Sequence, residues 1–407
     1  MAAIVFYFHV HQPYRVKDYS IFSIGDDGRY FSDPGLERLD NEKILKKVAK
    51  KCYLPMNQLL YDLVQSHDDF KVSFSISGVV LDQFEQFAPE VLDSFKRLVS
   101  TGKVELVNET YYHSLSFMFS PEEFKDQVFM HKQKLKDIFS YETVSFRNTE
   151  LIYNNSLASV IESLGFNTIL AEGVERYLGW RSPNFVYRPI GTEKIRLLLK
   201  NYKLSDDIAF RFSSRDWDGW PLTAEKYASW ISAVNGNGSV VNLFMDYETF
   251  GEHQWEDTGI FDFMRQLPHE IKKHPDNTFM TVSEAAHAFP AMDTIDMPDL
   301  TSWADVERDL SAWMSNPMQL SALDNLYGLE KKIKKSADPG LLERWRKLSV
   351  SDHFYYMCTK WFADGDVHKY FSPNESPYEA YQHFMTILHD LRQRVYASSE
   401  ERSTVHA

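Results

Sequence analysis

Cysteine is nearly absent: two residues, Cys52 and Cys358, in a chain of 407, with no C-x-x-C spacing. That count excludes a disulfide framework and a cysteine zinc site, and a reducing, cytoplasmic compartment is the simpler expectation. Long apolar runs are missing too. The N-terminal run Ile4 to Phe8 is broken at once by His9, His11 and Gln12 and has no basic region before it. It reads as neither a signal peptide nor a membrane span. Positive charge is in deficit, with 44 Lys and Arg against 58 Asp and Glu, for a net charge of −14. Nucleic acid and anionic membranes need a basic surface to displace counterions, so neither is expected as a partner, whereas a neutral substrate fits.

Aromatic surface, by contrast, is plentiful: 15% of residues, with 9 Trp, 22 Tyr and 29 Phe. Such rings stack on sugar faces and are equally good core material, so the excess points toward carbohydrate without establishing it. Hydrophobic content of 43% and charged content of 25% are ordinary, and 407 residues suffice for one large domain with an appendage.

The first two thirds of the chain alternate between short β-prone runs and amphipathic stretches. Ile4 to Phe8, Lys71 to Ile76, Val104 to Val107, Val144 to Arg147, Asn167 to Ala171, Ile208 to Phe212, Val240 to Met245 and Thr278 to Val282 read as strands. Helices are expected at Glu42 to Lys50, Pro55 to Ser66, Val79 to Phe87, Ser120 to Phe139, Ser156 to Leu164 and Tyr227 to Val234. Asp18 to Asp40 reads as a long surface loop, and Arg181 to Pro189 with Lys194 to Leu199 as an inserted hairpin. Alternation of this kind means a parallel sheet with crossover helices, and its repetition predicts a barrel. After about residue 290 it stops, and Asp305 to Trp313, Met318 to Lys335, Leu341 to Phe362 and Ser376 to Arg394 all read as helices. The expected fold is α/β: an incomplete (β/α)7 barrel over residues 1–290, with a hairpin inserted near 181–200, followed by a helical C-terminal region over 291–407.

Chemistry in such a barrel gathers at the C-terminal ends of its strands. Glu150, in SFRNTELIYNN, ends the fourth strand and precedes a turn at Asn154 to Ser156. It is the first candidate for a catalytic carboxylate, against the plainer reading of a helix cap or a partner for Arg147. Asp246 directly follows the strand Val240 to Met245, and its plainer reading is a turn-forming aspartate. Glu248, two residues on, is its rival. Carboxylates from separate strands suit acid and nucleophile roles, because the two must reach a bond from opposite sides. Glu172 and Asp216 also fall at strand ends on this reading. His9 and His11 stand two apart on an extended backbone and share a face. Three readings are open to them: a metal pair with His113, Asp246 or His253 as further ligands, donors to sugar hydroxyls, or satisfied core residues. No H-E-x-x-H motif is present, and neither a metal nor a cofactor is expected. Of the loop tryptophans Trp180, Trp217, Trp220, Trp255 and Trp303, one or two are expected to stack on sugar.

Five segments, in order, resemble those of glycoside hydrolase family 57, and within it the α-amylase group. They are HQP at His11 to Pro13, GKVELVNETYYH at Gly102 to His113, FRNTELIYN at Phe146 to Asn154, MDYETFGEH at Met245 to His253, and SWADVERDLSAW at Ser302 to Trp313. The resemblance implies a retaining α-glucan-active enzyme on an incomplete seven-stranded (β/α) barrel with a helical C-terminal region. It implies Glu150 as nucleophile, Asp246 as acid/base, and His11, Trp303 and Asp305 as substrate-binding groups. His9, His113 and Trp217 join them as substrate-binding candidates from their places at the rim. The implied reaction is cleavage of α-1,4 bonds in starch, glycogen or maltooligosaccharides by double displacement. The family's glucanotransferases carry a large β-rich C-terminal extension that this sequence lacks. A 4-α-glucanotransferase or branching enzyme with the same covalent intermediate is the alternative, and a metal-dependent barrel hydrolase such as a deacetylase a remote one.

Overall fold

The computed structural model describes residues 2–360 and 367–405. Two compact units are present, one built from Met1–His11, Leu45–Glu109 and Val128–Trp303, the other from Gln12–Ile44, Thr110–Gln127 and Ala304–Ala407.

The first unit is organised on β1 (Ala2–Val10), all of whose residues are buried. A strand covered on both faces can be apolar throughout, which is why this run shows no polar alternation. Its parity still sorts side chains. Ala3, Val5 and Tyr7 enter the core inside the barrel, while Phe6 and Phe8 pack the other way, against Phe70, Phe279 and Tyr247. His9 continues the odd series and is delivered to the interior at the strand's C-terminal end.

The further strands are β2 (Val72–Ile76), β3 (Val104–Leu106), β4 (Ser145–Arg147), β5 (Thr168–Glu172), β6 (Val186–Pro189), β7 (Arg196–Lys200), β8 (Val240–Asp246), β9 (Asn277–Phe279) and β10 (Asp293–Ile295). Seven of the ten close a ring. β8, β1, β2 and β3 pair in parallel, as do β7, β5 and β4. An asparagine joins the two sheets at each seam. The Asn108 N–H donates to Ser145 O, and its carbonyl accepts from Arg147 N, both at 2.9 Å. On the other side Asn201 N donates to Asn242 O at 2.9 Å, and the Asn242 amide donates to Leu199 O at 2.8 Å. This is the expected seven-stranded barrel. β9 extends the sheet along the start of β1, β6 pairs with β7, and β10 pairs with β6.

Several local expectations change. β7, expected as a hairpin arm only, does pair antiparallel with β6 but also pairs in parallel with β5, so it is a ring strand. Ile208 to Phe212 is not a strand: a helix spans Tyr202–Ala209, opened by the Asn201 side chain accepting from Leu204 N at 3.1 Å. One good cap and a buried Ile208 outweigh local β propensity there. The helices expected at 42–50 and 55–66 are continuous, Asn41–Val48 and Leu54–Ser66 joined by a π turn at Ala49–Tyr53. A wider turn accommodates Pro55, which has no N–H to donate. Helices at Pro89–Val99 and Ile260–Lys272, both amphipathic, fill crossovers where no helix was expected. β10 falls past residue 290, where strands were expected to stop.

In the second unit, the 18–40 loop buries Tyr19 and Tyr30 rather than lying wholly at the surface. The main helices are Pro317–Gly328, Glu330–Ser336, Pro339–Leu348 and Pro377–Val405. Proline opens three of them, where its missing N–H costs nothing. The helix expected over 305–313 shrinks to Ser311–Met314, because Asp305 and Arg308 take left-handed φ values of 54° and 49°. That expected over 341–362 divides into Pro339–Leu348 and Ser351–Tyr355, and residues 361 and 362 lie outside the described ones. Cys52 and Cys358 are buried free thiols. Among the described residues, no helix is long and apolar enough to cross a membrane.

The π turn presses on the loop that follows β8. Gly251 has φ 107°, and a Cβ there would lie 2.0 Å from the Lys51 carbonyl oxygen. Only glycine satisfies both the backbone angle and the space. Gly251→Ala is expected to destabilise by about 2 kcal/mol or more. That is a fall of roughly 4–8 °C in melting temperature for a unit of this size. An unchanged calorimetric midpoint would contradict this packing.

Candidate active site

Register sets up the first contact. His9 and Asp246 are opposite one another on β1 and β8, and His9 Nδ1 lies 3.3 Å from Asp246 Oδ1. His9 Nε2 faces Glu109 Oε1 at 3.5 Å and Arg147 Nη1 at 3.5 Å. Arg147, the last residue of β4, pairs with Glu109 Oε2 at 3.5 Å, and both side chains are fully buried. A guanidinium does not give up its proton, so Glu109 must balance it in place. Glu109 is held from behind by a helix residue: its N–H meets His131 Nδ1 at 3.1 Å, and His131 Nε2 meets Ile76 O at 2.8 Å. Burial keeps His131 below the ordinary histidine value, hence neutral. Its Nε2 donates to the Ile76 carbonyl, and its Nδ1 also lies 3.0 Å from Asn108 Oδ1.

Asp246 and Glu248 are two residues apart and electrostatically opposite. Burial raises the Asp246 carboxyl, but the hydrogen bond and field of His9, with His253 and Arg147 beyond, outweigh it and hold the group below the ordinary aspartate value. Its carboxylate is 43% exposed, so the burial it feels is partial. Glu248 is buried, and that burial, reinforced by the Asp246 charge, pushes it up to about 8. Tyr53, presented by the π turn, donates its hydroxyl proton to Glu248 Oε1, and the His11 N–H lies 3.3 Å from the same oxygen. The His11 ring stacks on His9 at 5.7 Å, with its Nδ1 on Ser77 Oγ at 2.7 Å.

Glu150 sits on the turn that ends β4. Its φ is 58° and that of Leu151 is 50°, two successive non-glycine residues in the left-handed region. Each costs about 1–2 kcal/mol. Leu151 is fully buried in the barrel core, and its burial returns about 2 kcal/mol. Residues 301–303 run antiparallel to this turn, with Tyr153 and Thr301 bridged at 3.0 and 2.9 Å. Trp303 therefore lands beside Glu150: its N–H donates to Glu150 O at 3.2 Å and its indole N–H to Glu150 Oε2 at 2.9 Å. The Trp303 ring centroid lies 6.1 Å from that of His9. Glu150 and Asp246 are thus linked through Trp303 and His9.

His9, His11, Trp303, Glu150 and Asp246 come together in the first unit. Trp217 packs against Trp230 and Arg211. His113 and Asp305 belong to the second unit. There the His113 carbonyl accepts from Ser351 N at 2.9 Å. Asp305 holds His368 Nε2 at 3.1 Å and Lys360 at 3.2 Å; burial raises it, but these two partners bring it below the ordinary value. Arg147, Glu109, His131 and Tyr53 complete the cluster; Glu109 and Arg147 lie in the segments Gly102 to His113 and Phe146 to Asn154, whereas His131 and Tyr53 belong to none of the five. An ion on His9 Nε2 would share its surroundings with the Arg147 guanidinium, an unfavourable neighbour. In the second unit Asp18, Glu379 and His383 bring ligand atoms within 4.8 Å of one another, but Asp18 already pairs with Arg38 at 3.1 Å.

The raised Glu248 has a consequence for stability. Folded, it keeps its proton up to about pH 8, whereas an unfolded glutamate releases it near about pH 4.3. The folded state binds more protons between those values, so stability is lost as pH rises through that window. Glu248→Gln is expected to flatten the slope, by at most about 1.4 kcal/mol per pH unit. Urea midpoints across the window check this, and parallel profiles for wild type and variant would contradict it.

The sequence model of glycosyl hydrolase family 57 matches residues 5–298. A Methanocaldococcus jannaschii protein named "Putative alpha-amylase" is 44% identical over 398 residues, covering 95% of this chain and 83% of the relative. An alpha-amylase of Pyrococcus abyssi is 21% identical over 321 residues; the match covers 77% of this chain and only 45% of that protein's length. The crystal structure of a GH57-type branching enzyme from Pyrococcus horikoshii shares the fold, with a TM-score of 0.67 at 15% identity over 91% of this chain and 87% of that one. The chain belongs to glycosyl hydrolase family 57 and is a glycoside hydrolase.

Proposed function

We propose that the enzyme is a retaining α-glucan hydrolase of the α-amylase type, cleaving α-1,4 bonds with Glu150 as nucleophile and Asp246 as general acid and base. The observation that carries this reading is the setting of the two carboxyls. They stand at the ends of different ring strands, each has a neighbour in hydrogen-bond contact that orients it, and Asp246 is open to a ligand.

In the first step Glu150 attacks the anomeric carbon as the glycosidic C–O bond breaks, and Asp246 gives its proton to the departing oxygen. Water then loses a proton to Asp246 and attacks the same carbon, and Glu150 leaves with its bonding pair. Two inversions retain the configuration, and the geometry calls for carboxyls about 5 Å apart. The indole N–H of Trp303 on Glu150 favours the carboxylate form that attacks. Asp246 is ionised in the free enzyme and must gain a proton to serve as acid. A glucan in the mouth displaces the water that reaches it, and burial, already the largest influence on this group, raises it further. His9, His11 and Trp303 are the substrate-binding groups of this reading in the first unit, with His113, Trp217 and Asp305 as further candidates. Two buried unpaired thiols suit a reducing interior, and we place the enzyme in the cytoplasm.

Turnover of maltoheptaose and soluble starch, followed by reducing ends and product length, tests the proposal. Wild type is expected to release reducing ends, and Glu150→Gln and Asp246→Asn each to lose about a thousandfold or more in kcat/KM. Asp246→Asn, unlike Glu150→Gln, keeps its first step on an α-maltosyl fluoride, because fluoride departs without a proton. Products longer than the substrate with little gain in reducing ends would reassign the intermediate to transfer, as in a 4-α-glucanotransferase or branching enzyme. Full activity in Glu150→Gln would sink the assignment.

The pH profiles supply a second check. The alkaline limb of kcat, set by Asp246 with glucan bound, is expected above that of kcat/KM, set by the free enzyme. Coincident limbs would contradict the desolvation argument.

A further inference from the structure

The proposed nucleophile is oriented by a side chain that no strand carries. Trp303 lies in an irregular segment, partly buried against the barrel core, and its indole N–H meets Glu150 Oε2 at 2.9 Å. The turn beneath Glu150 is in the left-handed region, and the indole N–H is a direct side-chain contact that orients its carboxylate, so what holds the indole plane bears on the nucleophile. Two cations reach the ring: Arg147 Cζ lies 5.2 Å from its centroid and Lys200 Nζ 5.6 Å.

Lys200 is not a surface lysine lying there by chance. It is the last residue of β7, and its side chain is only 6% exposed. Glu172, at the end of β5, holds its ammonium at 3.5 Å, and Asp206 holds it at 3.0 Å. Glu172 is fixed in turn by the Gly173 N–H at 2.8 Å. Strand ends and their acids therefore set one point in space for the ammonium. That point is on the Trp303 ring, where a desolvated cation is attracted by the π face.

Resting on the reading of Glu150 as nucleophile, we propose that Lys200 is a positioning residue for the reaction. With Arg147 it fixes the Trp303 ring, so that the indole N–H stays on one Glu150 oxygen and the other is presented to the anomeric carbon. The orientation of the nucleophile matters mainly in the transition state, so its loss falls chiefly on kcat, with a smaller rise in KM because Trp303 is also a substrate-binding group of the proposed reading. Loss of a nearby positive charge and of a steady N–H donor also makes the Glu150 carboxylate more basic, which moves the acid limb of kcat/KM upward.

The test uses the full chain labelled with 5-fluorotryptophan, with the Trp303 fluorine resonance identified by its absence in Trp303→Phe. Lys200→Gln is expected to shift or broaden that resonance and to lower kcat on maltoheptaose about tenfold to a hundredfold, with a smaller rise in KM. Its acid limb should rise by about half a pH unit. Lys200→Arg, which keeps the cation, is expected to restore most of both. Should Lys200→Gln fail to fold, Lys200→Met combined with Glu172→Gln removes the ammonium together with its fully buried partner, leaving the more exposed Asp206, and gives the same readouts. A Trp303 resonance that does not move overturns the proposal whatever the substrate, and so do equal losses in the Arg and Gln variants with no change in the acid limb. If the resonance moves but Glu150→Gln is fully active, it is the assignment of the nucleophile that fails instead.

Discussion

A buried guanidinium at the mouth of the barrel is the constraint on which the rest of the site depends. Arg147 has no exposed side-chain surface and stays charged at any accessible pH, so its counterion must be buried with it. Glu109 fills that role and needs its own support, which His131 gives through the Glu109 backbone. His9 then bridges this pair to Asp246, and Trp303 lies over the guanidinium and reaches Glu150. Removing one member leaves a buried charge unanswered, at a cost of about 3–5 kcal/mol. Stability and site geometry are therefore coupled, and the charged groups hold one another in a single arrangement.

The same cluster divides the protons. Asp246 sits next to His9 and within the field of Arg147, and is ionised; Glu248, buried beside it, feels that negative charge and stays neutral. One carboxyl is open to a ligand and charged, the other closed and protonated. Under the proposed assignment Asp246 exchanges its proton during each cycle, while Glu248 keeps its own and is tied down by Tyr53 and His11. The π turn that presents Tyr53 is thus a fold feature with a consequence at the site, which suits the recurrence of such turns near functional groups.

What could be read in the sequence followed from local periodicity. The apolar runs of β1 and β8, the latter interrupted only by Asn242, gave away two central strands, and their ends pointed to His9 and Asp246. Glu150 was legible as a carboxylate ending a short strand. The partners that orient these groups were not, because His131, Tyr53 and Lys200 meet them only through tertiary packing, which has no sequence period; Glu109 was visible only as a member of the Gly102 to His113 segment. Arg147 was visible as a possible partner for Glu150, and the structure pairs it with Glu109. Local propensity misled where a cap or a backbone angle decided the outcome, as at Ile208 and Asp305. Lys200 did leave a trace: a lone charge closing the apolar run Leu197 to Leu199 belongs at a barrel mouth or on a hairpin, and the pairing of β7 with β5 resolves which.

The central claim is that Glu150 carries the sugar during turnover, and the most direct measurement is the identity of the residue that does so. A 5-fluoro-α-glucosyl fluoride slows both steps while its good leaving group keeps the first one accessible, so the covalent intermediate accumulates. Proteolysis at low pH and mass spectrometry then locate the sugar ester. The account predicts a single labelled peptide with the sugar on Glu150. An ester on Asp246 or Glu248, or turnover without any covalent adduct, would contradict it.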